Sequence, residues 1–316
     1  RCIRSQSSVD GGVFIPVANM NELRRRLLSQ LGEERAAVPE RRSLPLPDMP
    51  APAAEPDRLR TVSQVRSFDQ LSPELAGMKP DCLYMPVYEL LEHFDSVKPF
   101  TDAGTTVAAV LPRIIPDTEV KKVSDALVKL RELGIGEALV GNLGHIRLAR
   151  AAGMELRADF GMNIFNSRTL DTVRRMGFLS ATASFELRLA QVRDLVKSMN
   201  TELIVYGRLP LMVTEQCIIS RSEGRCNCSS PLPLSDRRGS VFPVVREPEH
   251  RNVILNSKKL YMADKLDELR GCGLWGMRLM FTTESARECV EVLNAYKGGS
   301  YTPNELTRGL YYRGVE

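Results

Sequence analysis

Residues 137–159 read EALVGNLGHIRLARAAGMELRAD. Glu137–Gly141 and Glu155–Asp159 are short, mainly apolar runs whose length suits buried strands. Between them, Ile146–Ala152 has the apolar spacing that is typical of a helix. A strand, a helix and a second strand in this order predict two neighbouring parallel strands joined by a crossover helix.

The same alternation extends over most of the chain. It predicts eight strands, near Cys82–Met85, Val107–Leu111, Glu137–Gly141, Glu155–Asp159, Ser180–Ser184, Glu202–Tyr206, Asn252–Leu255 and Met277–Phe281. Eight β–α units favour an α/β fold, a TIM-like (β/α) barrel with a Cys-rich loop insertion. Some units are shorter than the roughly thirty residues of an ordinary barrel unit. An irregular or incomplete barrel, or an open doubly wound sheet, is therefore the alternative.

Three regions are expected along the chain. Residues 1–35 contain a short strand and an amphipathic helix, and we interpret them as the end of a preceding domain of a longer polypeptide. Residues 36–79 are proline-rich at their start and predict an extended linker. The barrel is expected to occupy residues 80–316.

Composition restricts the possible partners only weakly. The chain has 43 Lys and Arg against 39 Asp and Glu, a formal charge of +4 that permits a polyanion partner without indicating one. No apolar run approaches the about eighteen residues of a membrane helix, so we expect no membrane partner and a cytoplasmic location. Sequence motifs of the common hydrolases and nucleotide-binding loops are missing.

Three of the seven cysteines, Cys217, Cys226 and Cys228, are concentrated in the segment between Tyr206 and Asn252. An odd number of cysteines in such a chain argues against a disulfide framework. In a barrel this segment would lie above the carboxyl ends of the strands. Thiolates are soft donors, so the three cysteines predict a metal centre, either zinc or an iron–sulfur cluster. Free thiols in a surface loop are the simpler alternative.

A closed centre of this kind needs a fourth ligand. His250 is the preferred candidate because it precedes the strand that follows the insertion directly. Cys272 is the second candidate, although it would serve equally well as a small buried apolar residue. An open fourth position is also compatible with the spacing.

Polar residues follow several of the predicted strands. The catalytic candidates among them are Asp159, Glu186, Arg208 and Glu215. The carboxyl ends of parallel barrel strands meet at one mouth, so these side chains are candidates for binding a polar ligand. Local roles such as helix capping are the competing explanation for each of them.

Arginines lie near aromatic residues in two places, Asp236–Arg246 and Thr307–Gly314. Arginine and aromatic side chains together can contact phosphates and stack on unpaired bases, so RNA is a candidate partner. A hairpin with a solvated face is the simpler explanation.

Longer stretches of the sequence are similar to one known family. Glu202-Leu-Ile-Val-Tyr206-Gly-Arg208-Leu-Pro210, the cysteine segment, Arg251-Asn252-Val-Ile-Leu-Asn256-Ser257 and Thr307-Arg308-Gly309-Leu-Tyr311-Tyr312-Arg313-Gly314 resemble the second half of the collagenase-like peptidase U32 domain. The resemblance covers about residues 80–316. It is to the long form of the family, in which other domains of the same chain precede this region.

The resemblance implies two different activities. The family is named for collagenase-like proteolysis of peptide substrates, whereas relatives act in oxygen-independent hydroxylation of RNA or of quinone precursors and hold a 4Fe–4S cluster on four cysteines. Cys217, Cys226 and Cys228 match the cysteine region of that pattern, and His250 stands where a fourth ligand is sought. The hypotheses are therefore an iron–sulfur RNA-modifying protein, a peptidase in which Glu186 or Glu215 activates water, or a non-catalytic module of a larger enzyme.

Overall fold

The computed structural model of the chain describes residues 6, 8, 10–41, 43–45, 48–218, 220 and 233–315. They belong to two compact units, residues 1–48 and 49–316. The first unit contains helix α1, Val17–Ala36, none of whose side chains is buried. No helix within the described ranges is both long enough and apolar enough to cross a membrane.

The second unit alternates strands with helices. Its strands in the described residues are β1 Arg60–Gln64, β2 Cys82–Pro86, β3 Thr106–Val110, β4 Glu137–Val140, β5 Glu155–Ala158, β6 Phe178–Thr182, β7 Asn200–Gly207, β8 Pro210–Thr214, β9 Leu234–Ser235, β10 Val241–Phe242, β11 Val244–Arg246, β12 Asn252–Leu255, β13 Lys259–Tyr261, β14 Gly276–Met280 and β15 Leu306–Thr307. Its helices there are α2 Pro73–Gly77, α3 Val87–Glu92, α4 Lys98–Asp102, α5 Asp117–Glu132, α6 Ile146–Ala151, α7 Ser167–Arg175, α8 Leu189–Asp194, α9 Leu266–Arg270 and α10 Ala286–Tyr296.

Eight parallel strands close into a barrel. Each strand from β1 to β6 pairs in parallel with the next strand in the sequence, and β14 pairs in parallel with both β7 and β1. Backbones approach closely where β7 ends, because a Cβ at Gly207 would lie 2.0 Å from the carbonyl oxygen of Met280. The predicted TIM-like barrel is confirmed, and an open doubly wound sheet is excluded because the sheet has closed on itself.

Seven of the eight predicted strands belong to the barrel, and one does not. Asn252–Leu255 is a strand, but it lies in a separate antiparallel sheet with β8 and β11. The eighth barrel strand is β1, which falls inside the segment expected to be a linker, so the barrel begins before residue 80.

The reason for missing β1 lies in its composition. Its sequence, RTVSQ, has one large apolar residue, Val62, and no apolar run that a pattern search detects. Thr61, Val62 and Ser63 are nevertheless buried, because β2 and β14 cover the strand from both sides. Its burial comes from neighbours that are distant in the sequence.

The helices cover the outside of the barrel. In α5 the buried side chains Val123, Leu127 and Leu130 form one stripe, while acidic residues occupy its first turn and basic residues its last. Asn166 caps α7 by accepting a hydrogen bond from the Thr169 amide at 2.9 Å. Apolar packing between helices and strands therefore makes the larger core of the unit.

The inside of the barrel holds a network of charged groups. Arg278 of β14 is fully buried and donates hydrogen bonds to Glu202 of β7 at 2.7 and 3.1 Å and to Asp159 at 2.5 Å. Tyr84 donates to the same Glu202 at 2.7 Å. Burial raises the pKa of Glu202, but Arg278 and Arg157 outweigh that effect and the pKa lies below its usual range. Glu202 and Arg278 therefore remain ionised and paired inside the barrel.

Replacing Arg278 tests how much this network contributes to the free energy of unfolding. Arg278→Met leaves Glu202 and Asp159 buried without their cation, so we expect the free energy of unfolding to fall by about 3–5 kcal/mol. Urea denaturation followed by circular dichroism measures the change. Arg270→Met is the matched control, since Arg270 pairs with Asp267 on the surface, and it should leave the midpoint almost unchanged. Equal midpoints for the two variants would contradict a structural role of the buried network.

Candidate functional site

The insertion after β7 covers the carboxyl end of the barrel. Strands β8, β11 and β12 form its antiparallel sheet, and β9 pairs with β10 beside it. Lys122 of α5 pairs with Glu249 of the insertion at 2.5 Å. Arg66, which follows β1, donates a hydrogen bond to the carbonyl oxygen of Arg246. These contacts attach the insertion to the mouth where barrel enzymes place their active sites.

A cavity of about 820 Å³ lies between the insertion and the mouth. Its barrel side is made by residues at and after the carboxyl ends of strands, including Gln64–Ser67, Pro86–Glu89 and Val110–Arg113. Its other side is made by Val245–His250 of the insertion. The volume is in the range of sites that bind small molecules, about 300–1,000 Å³.

Two opposite charges in the cavity wall, Arg66 and Glu247, have no direct ion-pair partner among the described residues. Both side chains are half-buried. Burial lowers the pKa of Arg66, and the nearby Glu247 and Glu89 oppose this effect. Burial raises the pKa of Glu247, and Arg66 and Arg113 oppose it. Charged groups that are desolvated without a close partner are characteristic of binding and catalytic sites.

Two further groups of the cavity have unused hydrogen-bonding capacity. Gln64 Oε1 and the Tyr88 hydroxyl are buried and have no hydrogen-bond partner among the described residues. The Lys122 ammonium lies 4.9 Å from the centre of the Tyr88 ring. Buried polar atoms normally find a partner, so the wall can accept a ligand that carries both donors and acceptors.

Asp159 is the predicted catalytic residue that the structure places in the cavity wall. It follows β5, accepts a hydrogen bond from the Phe160 amide at 2.8 Å and binds Arg278 through the same carboxylate oxygen. Its carboxylate therefore joins the buried network of the barrel to the cavity.

The other catalytic candidates do not line this cavity. Glu186 is exposed at the start of the segment that leads to α8. Arg208 donates hydrogen bonds to the carbonyl oxygens of Asn256 and Ser257, and its Nε is buried without a partner in the described residues. Glu215 binds Arg251. The four candidates thus have separate surroundings, and Asp159, Arg208 and Glu215 bind residues that are distant in the sequence.

Of the predicted metal ligands, Cys226 and Cys228 lie outside the described residues. Cys217 follows β8, and its Sγ accepts a hydrogen bond from the Ser220 amide at 3.3 Å. His250 lines the cavity. Within the part of the chain that the structure describes, no three His, Cys, Asp or Glu side chains are grouped as metal ligands. The metal centre stays a prediction.

Cys272 occupies a different place. It precedes the amino end of β14, whereas the insertion lies at the carboxyl ends of the barrel strands. It is buried, and its Sγ lies 3.3 Å from the carbonyl oxygen of Glu268. The structure therefore does not support Cys272 as a fourth ligand beside Cys217.

Sequence analysis did not identify four residues of the cavity wall, Gln64, Arg66, Tyr88 and Glu247. The first two belong to or follow the strand that was missed, and Tyr88 lies in α3 directly after β2. Glu247 follows β11, a three-residue strand inside the insertion. A search for polar residues after each strand finds Arg66 and Glu247 only if β1 and β11 are already known.

A comparison with known protein families identifies the family of this chain. The sequence profile described as peptidase family U32 matches residues 92–299, which is more than half of the chain. No curated protein matches.

Solved structures with a similar chain trace include the U32 peptidase Mk0906, with 12% identity over 79% of this chain and 100% of that chain and a TM-score of 0.42. The spore cortex-lytic enzyme SleL of Bacillus cereus has 9% identity over 86% of this chain and 79% of that chain, with a TM-score of 0.41. The α-subunit of tryptophan synthase from Pyrococcus furiosus has 11% identity over 76% and 98%, with a TM-score of 0.42. Likenesses of this size carry no argument about function. On the profile match, the chain belongs to peptidase family U32.

Proposed function

We propose that this chain is an iron–sulfur protein that acts in oxygen-independent hydroxylation of RNA, with its substrate in the cavity at the barrel mouth. The observation that carries the proposal is that one insertion supplies both Cys217 and a wall of the cavity. A redox centre on that insertion would belong to the same site as the substrate. Such a role is consistent with a cytoplasmic location.

The donor set fits an iron–sulfur cluster. Cys217, Cys226 and Cys228 would supply thiolates, with His250 as the candidate fourth ligand. The Ser220 amide already donates to Cys217 Sγ, and hydrogen bonds to sulfur favour the thiolate form and tune a cluster's potential. The cluster would supply one-electron chemistry. Zinc is the alternative metal, and a thiolate-rich zinc site has little Lewis acidity for hydrolysis.

The cavity fits one nucleotide of an RNA strand. Enzymes that modify a base take it out of the stack and into a pocket. Arg66 would bind an anionic oxygen, and Gln64 and Tyr88 would supply hydrogen-bonding groups for the base. The Gln64 and Tyr88 atoms that have no hydrogen-bond partner among the described residues would then bind the substrate.

Glu247 supports a second candidate function, collagenase-like proteolysis. A general base works best when its pKa lies near the working pH, and burial raises the pKa of this cavity carboxyl. Glu186 and Glu215, the earlier candidates for activating water, do not line the cavity. A peptidase of this fold would therefore use Glu247 rather than either of them.

Anaerobic purification tests the cluster. We expect absorbance at about 400 nm together with bound iron and acid-labile sulfide, because thiolate-held clusters are coloured. Cys217→Ser should remove most of the colour. Cys272→Ala is the matched control at the other end of the barrel and should keep it. A wild-type protein that stays colourless after reconstitution with iron and sulfide would contradict the cluster.

A change at Arg66 tests the cavity. Arg66→Met removes a charge-assisted hydrogen bond worth about 1.5–3 kcal/mol, so modification of RNA should fall at least about tenfold. Modified-nucleoside profiling of RNA from a deletion strain that carries each variant measures this loss, and Arg270→Met should restore the modification fully.

Two results would count against the RNA substrate. One is an RNA profile that does not differ between the deletion strain and the strain with the wild-type gene. The other is cleavage of an unfolded peptide by metal-free protein, with loss of that cleavage in Glu247→Gln, which would favour the peptidase instead.

A further inference from the structure

Arg251 lies buried where the insertion joins the barrel. Its guanidinium donates to both carboxylate oxygens of Glu119 in the first turn of α5, at 3.1 and 2.5 Å. It also donates to both oxygens of Glu215, which follows β8, at 2.8 and 3.1 Å. Glu119, Arg251 and Glu215 are called the Arg251 triad below. The triad connects a helix of the barrel to the segment that leads into Cys217.

Asn252, the next residue, holds the other side of Cys217. It is fully buried at the start of β12, and its Oδ1 accepts a hydrogen bond from the Ile218 amide at 2.7 Å. Its backbone is in register with Thr214, whose hydroxyl donates to the Gln216 carbonyl oxygen at 2.8 Å. Glu215 and Ile218, on either side of Cys217, thus bind Arg251 and Asn252 directly, and Gln216 is connected to Asn252 through Thr214.

The charges of the triad make this attachment rigid. Two hydrogen bonds from one guanidinium to each carboxylate fix both distance and orientation, which a single bond does not. The bonds to Glu119 and Glu215 raise the pKa of Arg251, and the bond to Arg251 lowers the pKa of Glu215. Arg251 and Glu215 therefore stay charged at neutral pH.

We propose that Arg251 and Asn252 are positioning residues that hold Cys217 Sγ at a fixed place and orientation beside the barrel mouth. The placement of the backbone on both sides of Cys217 follows from these contacts, and the Ser220 amide binds Sγ itself. The use of Cys217 as a preorganised ligand of an iron–sulfur cluster rests on the proposed function. A residue that only stabilised the fold would affect every part of the barrel, whereas a positioning residue affects Cys217 selectively.

Alkylation of the metal-free protein by iodoacetamide, followed by peptide mass spectrometry, tests the placement. Arg251→Lys keeps a positive charge but loses the paired hydrogen bonds, so the alkylation rate of Cys217 should rise about tenfold or more. Cys82, Cys272 and Cys289 are buried and should stay protected. Arg308→Lys is the matched control, since Arg308 binds Asp264 with two hydrogen bonds at 2.6 and 2.7 Å, and it should leave the Cys217 rate unchanged.

Asn252→Ala is a second, independent variant, because it removes the bond to the Ile218 amide and keeps the triad. It should raise the Cys217 rate in the same way, which keeps the test valid if Arg251→Lys does not fold. An unchanged Cys217 rate in the folded variants would overturn the proposal. A parallel rise at the three buried cysteines would overturn it as well, because it would show a general loss of stability.

The readout separates this proposal from the proposed function. Alkylation is measured without metal, so it reports the position of Cys217 whether or not the protein holds a cluster. The iron and sulfide content of the same variants then shows whether a displaced Cys217 loses a cluster. Selective alkylation in a protein that never binds iron would support the positioning residues and contradict the iron–sulfur function.

Discussion

The inside of the barrel depends on a fully buried cation, Arg278. An arginine cannot lose its charge inside a protein, so a fully buried guanidinium has to be matched by carboxylates and hydrogen bonds. Here the match comes from Glu202 and Asp159, which reach Arg278 only when β14 closes the sheet against β7. Strand closure and charge pairing therefore depend on each other. Since Asp159 also lines the cavity, the same network fixes one wall of the site.

The partners of three arginines, Arg278, Arg251 and Arg66, differ. Arg278 and Arg251 each bind two carboxylates, and both connect elements that are distant in the sequence. Arg66 differs, because among the described residues it binds a backbone carbonyl and no carboxylate. A half-buried cation that has no direct ion pair can still bind an anionic ligand. This contrast is the reason that we propose a binding role for Arg66 and not for Arg278 or Arg251.

Apolar periodicity predicted most of the barrel and little of its mouth. Runs such as Glu137–Gly141 predict strands because their own residues are apolar, whereas β1 is a strand only because β2 and β14 bury it. Strand ends also identified Asp159. The role of Glu215 depends on Arg251, far along the chain, and no local pattern shows that pairing. Strand β1 and the pairing of Glu215 with Arg251 both depend on contacts between residues that are distant in the sequence, so local sequence patterns did not predict them.

We propose that the insertion brings a metal-bearing cysteine segment to a substrate cavity. X-ray data collected at the iron absorption edge from anaerobically grown crystals test this most directly. The account predicts an anomalous peak at about 2.3 Å from Cys217 Sγ, on the side of the insertion that faces the cavity, a distance typical of metal–thiolate bonds. Crystals of reconstituted protein with no such peak, or with iron held away from Cys217, would contradict it.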